Sequence, residues 1–103
     1  MRIKILVEAQ DDLIQGFRFY EGREAGLGAY FLDCLFLDID SLLRCGGIHQ
    51  VVYGYHRCLS KRFPFAIYYS IAEDVVHVYA VLDCRRNPSW IRKRLNGDDE
   101  PAG

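Results

Sequence analysis

The fold is decided by residues 65–84, which read FAIYYSIAEDVVHVYAVLDC. Two runs rich in Val, Ile and Tyr flank the pair Glu73–Asp74, a pattern typical of two β-strands joined by a tight turn. A third run, Val52–Leu59, precedes Pro64, and the three runs together predict an antiparallel meander. Alternation in the last run predicts one face made of Val76, Val78, Ala80 and Leu82, and another made of His77, Tyr79, Val81 and Asp83. Because both faces are largely apolar, we expect this strand to be central in its sheet.

The N-terminal half predicts one strand followed by two helices. Residues 2–7 alternate between apolar and polar or basic positions, as a strand does. A helical period then begins at Ala9 and continues through Leu13, Phe17 and Tyr20. Glycines at positions 22, 26 and 28 predict a break, after which a second, strongly apolar helix runs from residue 27 to 42.

These elements predict an α+β domain with the order β-α-α-β-β-β. We expect a two-helix hairpin on one face of an antiparallel sheet, and a short helical segment over residues 90–95. The single domain is expected to occupy residues 1–95. The polar, acidic residues 96–103 are expected to be a disordered tail.

Charge is unevenly distributed along a nearly neutral chain. The 103 residues include 13 basic and 14 acidic ones, for a net charge of −1. Residues 57–97 nevertheless hold eight basic and only three acidic residues, between two acidic parts. Such a local excess attracts phosphate or an acidic partner, although basic residues also serve simply as guards of strand edges.

Composition excludes several classes of protein. Half of the residues are hydrophobic, which excludes disorder for most of the chain. No apolar stretch is long enough for a membrane helix, and no signal peptide is visible, so we expect a cytoplasmic protein. The four cysteines form no Cys-x-x-Cys pair and are expected to be reduced structural thiols. We predict neither a metal nor a cofactor.

The basic residues form two clusters, HRCLSKR at residues 56–62 and CRRNPSWIRKR at residues 84–94. Strand order decides whether these clusters make one surface, and the sequence does not state that order. The candidate binding residues are Arg57, Lys61, Arg62, Arg85, Arg86 and Trp90. Arg85, Arg86, His56 and His77 are weak candidates for catalysis, and the two histidines could meet across the sheet.

The segment YGYHRCLSKRFPFAIYYSI, followed by DVVHVYAVLDCRRNP and Trp90, resembles the C-terminal half of RelE/ParE-family toxins of bacterial type II toxin–antitoxin systems. The resemblance extends over residues 2–95. It implies a two-helix hairpin on an antiparallel sheet, in agreement with the element order above. It also implies a small cytoplasmic toxin that a cognate antitoxin, a small acidic helical protein, neutralises in a hetero-oligomer.

The resemblance implies two alternative mechanisms. The ParE-like, plasmid-stabilisation branch poisons DNA gyrase by binding it. The RelE-like branch cleaves messenger RNA on the ribosome without a metal, using arginines to stabilise charge on the phosphate. In the RelE-like pattern an arginine begins the strand that matches AIYYSI, where this chain has Phe65 or Ala66. The C-terminal catalytic tyrosine has no clear match, since Trp90 and Ile91 occupy that region. The sequence is therefore closer to the ParE-like branch, and a third alternative is a non-toxic, degenerate interaction domain.

The second helix offers a physical reason for a partner. Its apolar residues occupy more than one stripe, and one small sheet covers only part of a helix surface. An exposed apolar groove beside a basic sheet would suit an acidic amphipathic peptide. The alternative is that the hairpin and the sheet bury both stripes between them.

Overall fold

The computed structural model describes residues 1–97, which form a five-stranded sheet with helices on both faces. The elements are β1 (Arg2–Ile5), α1 (Val7–Arg23), α2 (Leu27–Asp40), α3 (Leu42–Cys45), β2 (Val51–Val52), β3 (Tyr55–Leu59), β4 (Phe65–Ala72), β5 (Val75–Asp83) and α4 (Pro88–Asn96). Residues 98–103 of the predicted tail lie outside the described residues, and α4 extends one residue into it. None of the described helices combines the length and the apolar character needed to cross a membrane.

The strands lie in the order β1-β5-β4-β3-β2. The predicted α+β class and the antiparallel meander of β3, β4 and β5 are confirmed, with β5 in a central position. The sheet as a whole is mixed, however, because β1 pairs in parallel with β5, Arg2 opposite Val75 and Ile5 opposite Val78. Parallel pairing is possible because the long intervening chain returns to the same end of the sheet before β5 begins.

The strand expected over residues 52–59 is interrupted by a two-residue turn. Tyr53 and Gly54 have φ angles of 54° and 88°, as the central residues of a type I′ hairpin turn require. This turn folds β2 back on β3, with Val52 opposite Tyr55.

A β-bulge in β5 changes which of its side chains share a face. Tyr79 has no partner in the register of β4, where every other residue of β5 is paired. As a result, Val76 and Val78 pack on the side of α1 and α2, whereas Ala80 and Leu82 pack on the side of α4. The prediction that these four side chains share one face is wrong, because one inserted residue inverts the alternation of a strand.

Two apolar clusters hold the layers together. The larger one lies between the sheet and the predicted helical hairpin, and its fully buried members include Phe31, Leu35, Ile39, Tyr69 and Val78. The smaller one lies between the opposite face of the sheet and α4, and consists of Ala66, Tyr68, Ala80, Leu82, Ile91 and Leu95. Because β4 and β5 are covered on both faces, both read as nearly continuous apolar runs.

The hairpin of α1 and α2 turns at Gly26, whose φ of 89° favours glycine. The Glu21 carboxylate accepts the backbone N–H groups of Gly26 and Gly28 at 2.9–3.1 Å, which satisfies donors at the start of α2. Of the three glycines expected to break the helices, only Gly26 does so: Gly22 lies within α1 and Gly28 within α2. The helices approach closely at Gly28, where a Cβ would lie 2.7 Å from the Phe17 carbonyl oxygen.

Asp12 joins three elements at the edge of β5. Strand β1 accompanies β5 only as far as Val78, so the backbone N–H of Val81 has no strand partner on that side. Asp12 Oδ2, from α1, accepts this N–H at 3.0 Å. Both oxygens of Asp12 also accept the Arg94 guanidinium from α4 at 2.8 Å. This largely buried ion pair fixes α4 against the sheet.

Candidate functional site

The two basic clusters meet at one end of the sheet. β3 ends, β4 begins and β5 ends there, since Leu59 lies opposite Ala66 and Phe65 lies opposite Asp83. The Cys84 N–H donates to the Pro64 carbonyl at 2.8 Å, which joins the segment after β5 to the loop between β3 and β4. Strand order thus brings together five exposed residues, which we call the basic end: Lys61, Arg62, Arg85, Arg86 and Trp90.

The loop that carries Lys61 and Arg62 is anchored to α2 and to the helical hairpin. The buried Asp38 of α2 accepts the Ser60 hydroxyl at 2.7 Å and the Lys61 backbone N–H at 3.2 Å. Phe63 inserts between aromatic rings of the hairpin, with its ring centroid 4.9 Å from that of Tyr20. The loop backbone is therefore held in place while its two basic side chains remain exposed.

Arg85 is already paired with a carboxylate. Asp83 Oδ1 accepts Arg85 Nε at 2.9 Å, and Asp83 Oδ2 accepts Nη2 at 2.7 Å. Hydrogen bonds from Arg85 hold the pKa of Asp83 below its usual value, and the same bonds raise the pKa of Arg85. An arginine held in this bidentate pair is less free to stabilise a phosphate.

Arg86 and Trp90 form a stacked pair. The Arg86 guanidinium carbon lies 3.7 Å from the centroid of the Trp90 ring, within range of a cation–π contact. Trp90 lies in the first turn of α4, which Asn87 caps by accepting the Ser89 N–H at 2.8 Å, and Pro88 occupies the first helical position. The capped first turn of α4 therefore fixes the position of Trp90, on which Arg86 stacks.

A cleft of about 370 Å³ opens beside this pair, between α1 and α4. It lies at the edge of β5 beyond the point where β1 ends, and Asp12 and Val81 line it. Its other lining residues are Gln15, Gly16, Phe19, Phe65, Leu82, Asp83, Arg86 and Trp90. The sequence did not predict this cleft, because its walls come from segments that are about 70 residues apart in the chain.

Arg57 occupies the sheet face that α4 covers in part. It lies opposite Tyr68 in the register of β3 and β4. Burial raises the pKa of the Tyr68 hydroxyl, and the positive charge of Arg57 partly opposes that shift. Arg57 is half-buried and lies two residues before the end of β3, so it borders the basic end without belonging to it.

His56 and His77 do not meet. His56 lies opposite Tyr69 and stacks on its ring at 5.0 Å, on the face covered by the hairpin. His77 lies opposite Ser70, whose side chain points to the other face. The expectation that these histidines could pair is therefore wrong, because their register positions alternate across β4.

Sequence reasoning also missed the contacts of His49. Its Nδ1 shares a hydrogen bond of 2.5 Å with the Tyr69 hydroxyl, and its carbonyl is 2.8 Å from His56 Nδ1. Burial, together with the nearby His56, lowers the pKa of His49. Nothing in the sequence marks this cluster, since its members come from a loop and two strands. In the part of the chain that the structure describes, no three His, Cys, Asp or Glu side chains lie together as metal ligands.

The outer face of α2 is apolar, as one of the two alternatives predicted, but it is flanked by acidic rather than basic residues. Leu37 is 70% exposed, and together with Phe36 it lines a shallow groove bordered by Asp33 and Asp40. The groove exists, but the prediction that basic residues border it is wrong, because the basic residues lie at the end of the sheet.

No family model and no curated protein matches the sequence. Among solved structures, the chain is similar to one described as "Chromosomal ParDE TA system from P. aeruginosa", at 15% identity over 79% of this chain and 92% of that chain, with a TM-score of 0.71. The fold that the RelE/ParE resemblance implied is therefore the fold of this chain.

Proposed function

We propose that this protein is the toxin of a type II toxin–antitoxin system, acting in the cytoplasm by binding DNA gyrase in the manner of ParE-like toxins. The fold shared with the ParDE structure carries the proposal. The sequence motif over residues 53–90 supports it independently, because it lies on the strands that build the basic end.

The site favours binding over RNA cleavage. Phe65 and Ala66, which stand where the RelE-like pattern has an arginine, are both buried. The RelE-like pattern also has an arginine after the last strand, which Arg85 or Arg86 can match, and of these two Arg85 is paired with Asp83. By contrast, the exposed Arg62 and the exposed Arg86, which stacks on Trp90, are of the residue types enriched in protein-binding surfaces.

The proposed antitoxin acts on the same surface. An acidic helical segment complements the charge of the basic end, and by covering it prevents contact with gyrase. Neutralisation then requires only competition for the basic end, Lys61, Arg62, Arg85, Arg86 and Trp90, together with Arg57 at its border. The complex is a hetero-oligomer of the two proteins.

Two charge-reversed variants test the proposal. Lys61→Glu with Arg62→Glu changes only exposed side chains of the basic end. The control, Arg2→Glu with Lys4→Glu, reverses two exposed cations on β1 at the far end of the sheet. We expect the unmodified protein to arrest growth and to inhibit plasmid supercoiling by purified gyrase. The first variant should lose about tenfold or more in inhibition, whereas the control should retain it.

Each contrary result is informative. Normal growth at confirmed expression would remove the toxin proposal and favour a non-toxic interaction domain. Growth arrest with cleaved transcripts, unaffected gyrase and loss of cleavage in Arg85→Ala would show a ribosome-dependent ribonuclease instead. If the neighbouring reading frame encodes a small acidic protein, its co-expression should restore growth.

A further inference from the structure

The cleft between α1 and α4 combines an apolar floor with a mouth that carries both aromatic and charged side chains. Its floor includes Phe65, Val81 and Leu82, all of them buried, and Gly16 also lines it. At its mouth Phe19 is 48% exposed. Exposed aromatic side chains beside an apolar cavity are typical of anchor sites in protein interfaces.

One unpaired positive charge stands at this mouth. The carboxylates that line the cleft are both engaged, Asp12 with Arg94 and Asp83 with Arg85. Among the described residues, Arg86 makes no ion pair within 4.0 Å. The cleft therefore presents a net positive charge above an apolar floor.

Stacking on Trp90 favours the binding of a carboxylate by Arg86. The contact with Trp90 at 3.7 Å restrains the guanidinium. A restrained guanidinium loses less entropy when its edge binds a carboxylate in bidentate form. The cavity of about 370 Å³ is at the small end of the range for ligand sites, which matches a single large side chain better than a whole cofactor.

We propose that this cleft anchors the protein target by taking up one large apolar side chain, Leu or Phe, that is flanked in the target sequence by Asp or Glu. The apolar side chain lies on Phe65 and Val81, against Phe19, and the neighbouring carboxylate binds Arg86. The inference rests on the proposed function, because it identifies the segment of the target that the basic end recognises. The adjacent cations Lys61 and Arg62 extend the same preference for an acidic partner.

Trp90 is the only tryptophan of the chain, so its fluorescence reports directly on the mouth of the cleft. The intact protein is titrated with three blocked hexapeptides: Glu-Glu-Leu-Phe-Glu-Glu, Glu-Glu-Ser-Ser-Glu-Glu and Lys-Lys-Leu-Phe-Lys-Lys. We expect a saturable blue shift with the first peptide. Its affinity should exceed that of the serine peptide by about tenfold to a hundredfold, because only the first buries a large apolar side chain. The lysine peptide should bind least.

Two variants locate the binding. Phe19→Ser should weaken the acidic apolar peptide about tenfold, whereas Ile14→Ser should not. Ile14 is a matched control because it lies on the same helix at 46% exposure and does not line the cleft. Arg86→Ala should reduce the preference for acidic over basic flanks by about tenfold, the remainder coming from Lys61 and Arg62, while leaving thermal unfolding unchanged, since Arg86 is exposed.

Equal binding of all three peptides, no fluorescence change, or equal effects of Phe19→Ser and Ile14→Ser would overturn the inference. These results do not depend on toxicity. If the unmodified protein arrests growth and Phe19→Ser arrests it equally well, the inference fails while the proposed function stands. If the unmodified protein does not arrest growth, the proposed function fails and the peptide titration still decides whether the cleft binds.

Discussion

Replacing Asp12 by alanine should destabilise the fold more than any other change of a polar side chain on α1. The substitution removes the acceptor of the Val81 N–H and both hydrogen bonds of Arg94. A buried N–H without a partner costs about 1–2 kcal/mol. Loss of the ion pair adds about 1–2 kcal/mol, which is less than the roughly 3–5 kcal/mol of a fully buried pair because the Arg94 side chain is partly exposed and regains water. We expect a loss of about 3 kcal/mol in all.

Urea denaturation measures this loss as a change in the free energy of unfolding. For a domain of this size, about 3 kcal/mol also corresponds to a decrease in Tm of roughly 12–24 °C. Asp11→Ala is the control, since Asp11 is an exposed neighbour in the same turn of α1. Asp12→Asn should lose about 1–2 kcal/mol only, because its amide oxygen still accepts the Val81 N–H.

A double-mutant cycle with Arg94→Ala isolates the pair. The sum of the stability losses in the two single variants should exceed the loss in the double variant by about 1–2 kcal/mol. If Asp12→Ala matches Asp11→Ala within about 0.5 kcal/mol, or if the coupling is zero, then Asp12 does not hold α4 on the sheet.

Three further predictions concern stability and reactivity. Gly28→Ala should lower the free energy of unfolding in urea by about 1–2 kcal/mol, because the added Cβ would clash with the backbone of α1. Gly22→Ala should raise it by up to about 1 kcal/mol, because nothing lies within 4 Å of a Cβ there. Equal effects of the two substitutions would contradict the close helix contact at Gly28. The lowered pKa of His49 means that the folded state binds fewer protons than the unfolded one, so stability should be complete above the unfolded pKa of about 6.5 and decline below it. Urea midpoints between about pH 7.5 and 5 measure this decline, which should be smaller in His49→Asn; an unchanged slope would refute it. Cys58, buried and with a pKa raised to about 11, should resist alkylation at pH 8 until the protein unfolds. Cys84 also has a raised pKa, but it is exposed, so mass spectrometry should show that it reacts before Cys58.

The meander was predictable because period-two alternation and the turn at Glu73–Asp74 are local signals. The bulge at Tyr79 was not predictable, because the apolar pattern of the sequence continues unchanged through it. In the structure, however, this one unpaired residue exchanges the two faces of the strand beyond it. The prediction that Ala80 and Leu82 share a face with Val76 and Val78 failed for this reason alone.

The members of the candidate site could be named, but their arrangement could not. Lys61 and Arg86 stand out by charge and spacing in the sequence. Their proximity depends on β4 lying between β3 and β5, which is a property of strand order. Asp83 and Arg85 are only two residues apart, but their closeness in the sequence does not show that their side chains form a hydrogen bond.

The parallel pairing of β1 with β5 has a consequence for how the protein folds. Arg2 pairs with Val75 and Ile5 with Val78, so the first strand remains without a partner until β5 has been made. Pairing over such a sequence distance has a high entropy cost and slows the rate-limiting step. Until β5 emerges, the apolar face of the helical hairpin lacks the strand on which it packs, and the nascent chain is at its most prone to aggregation. A truncation that ends at residue 74 should therefore fail to fold, even though it retains both helices of the hairpin and four of the five strands.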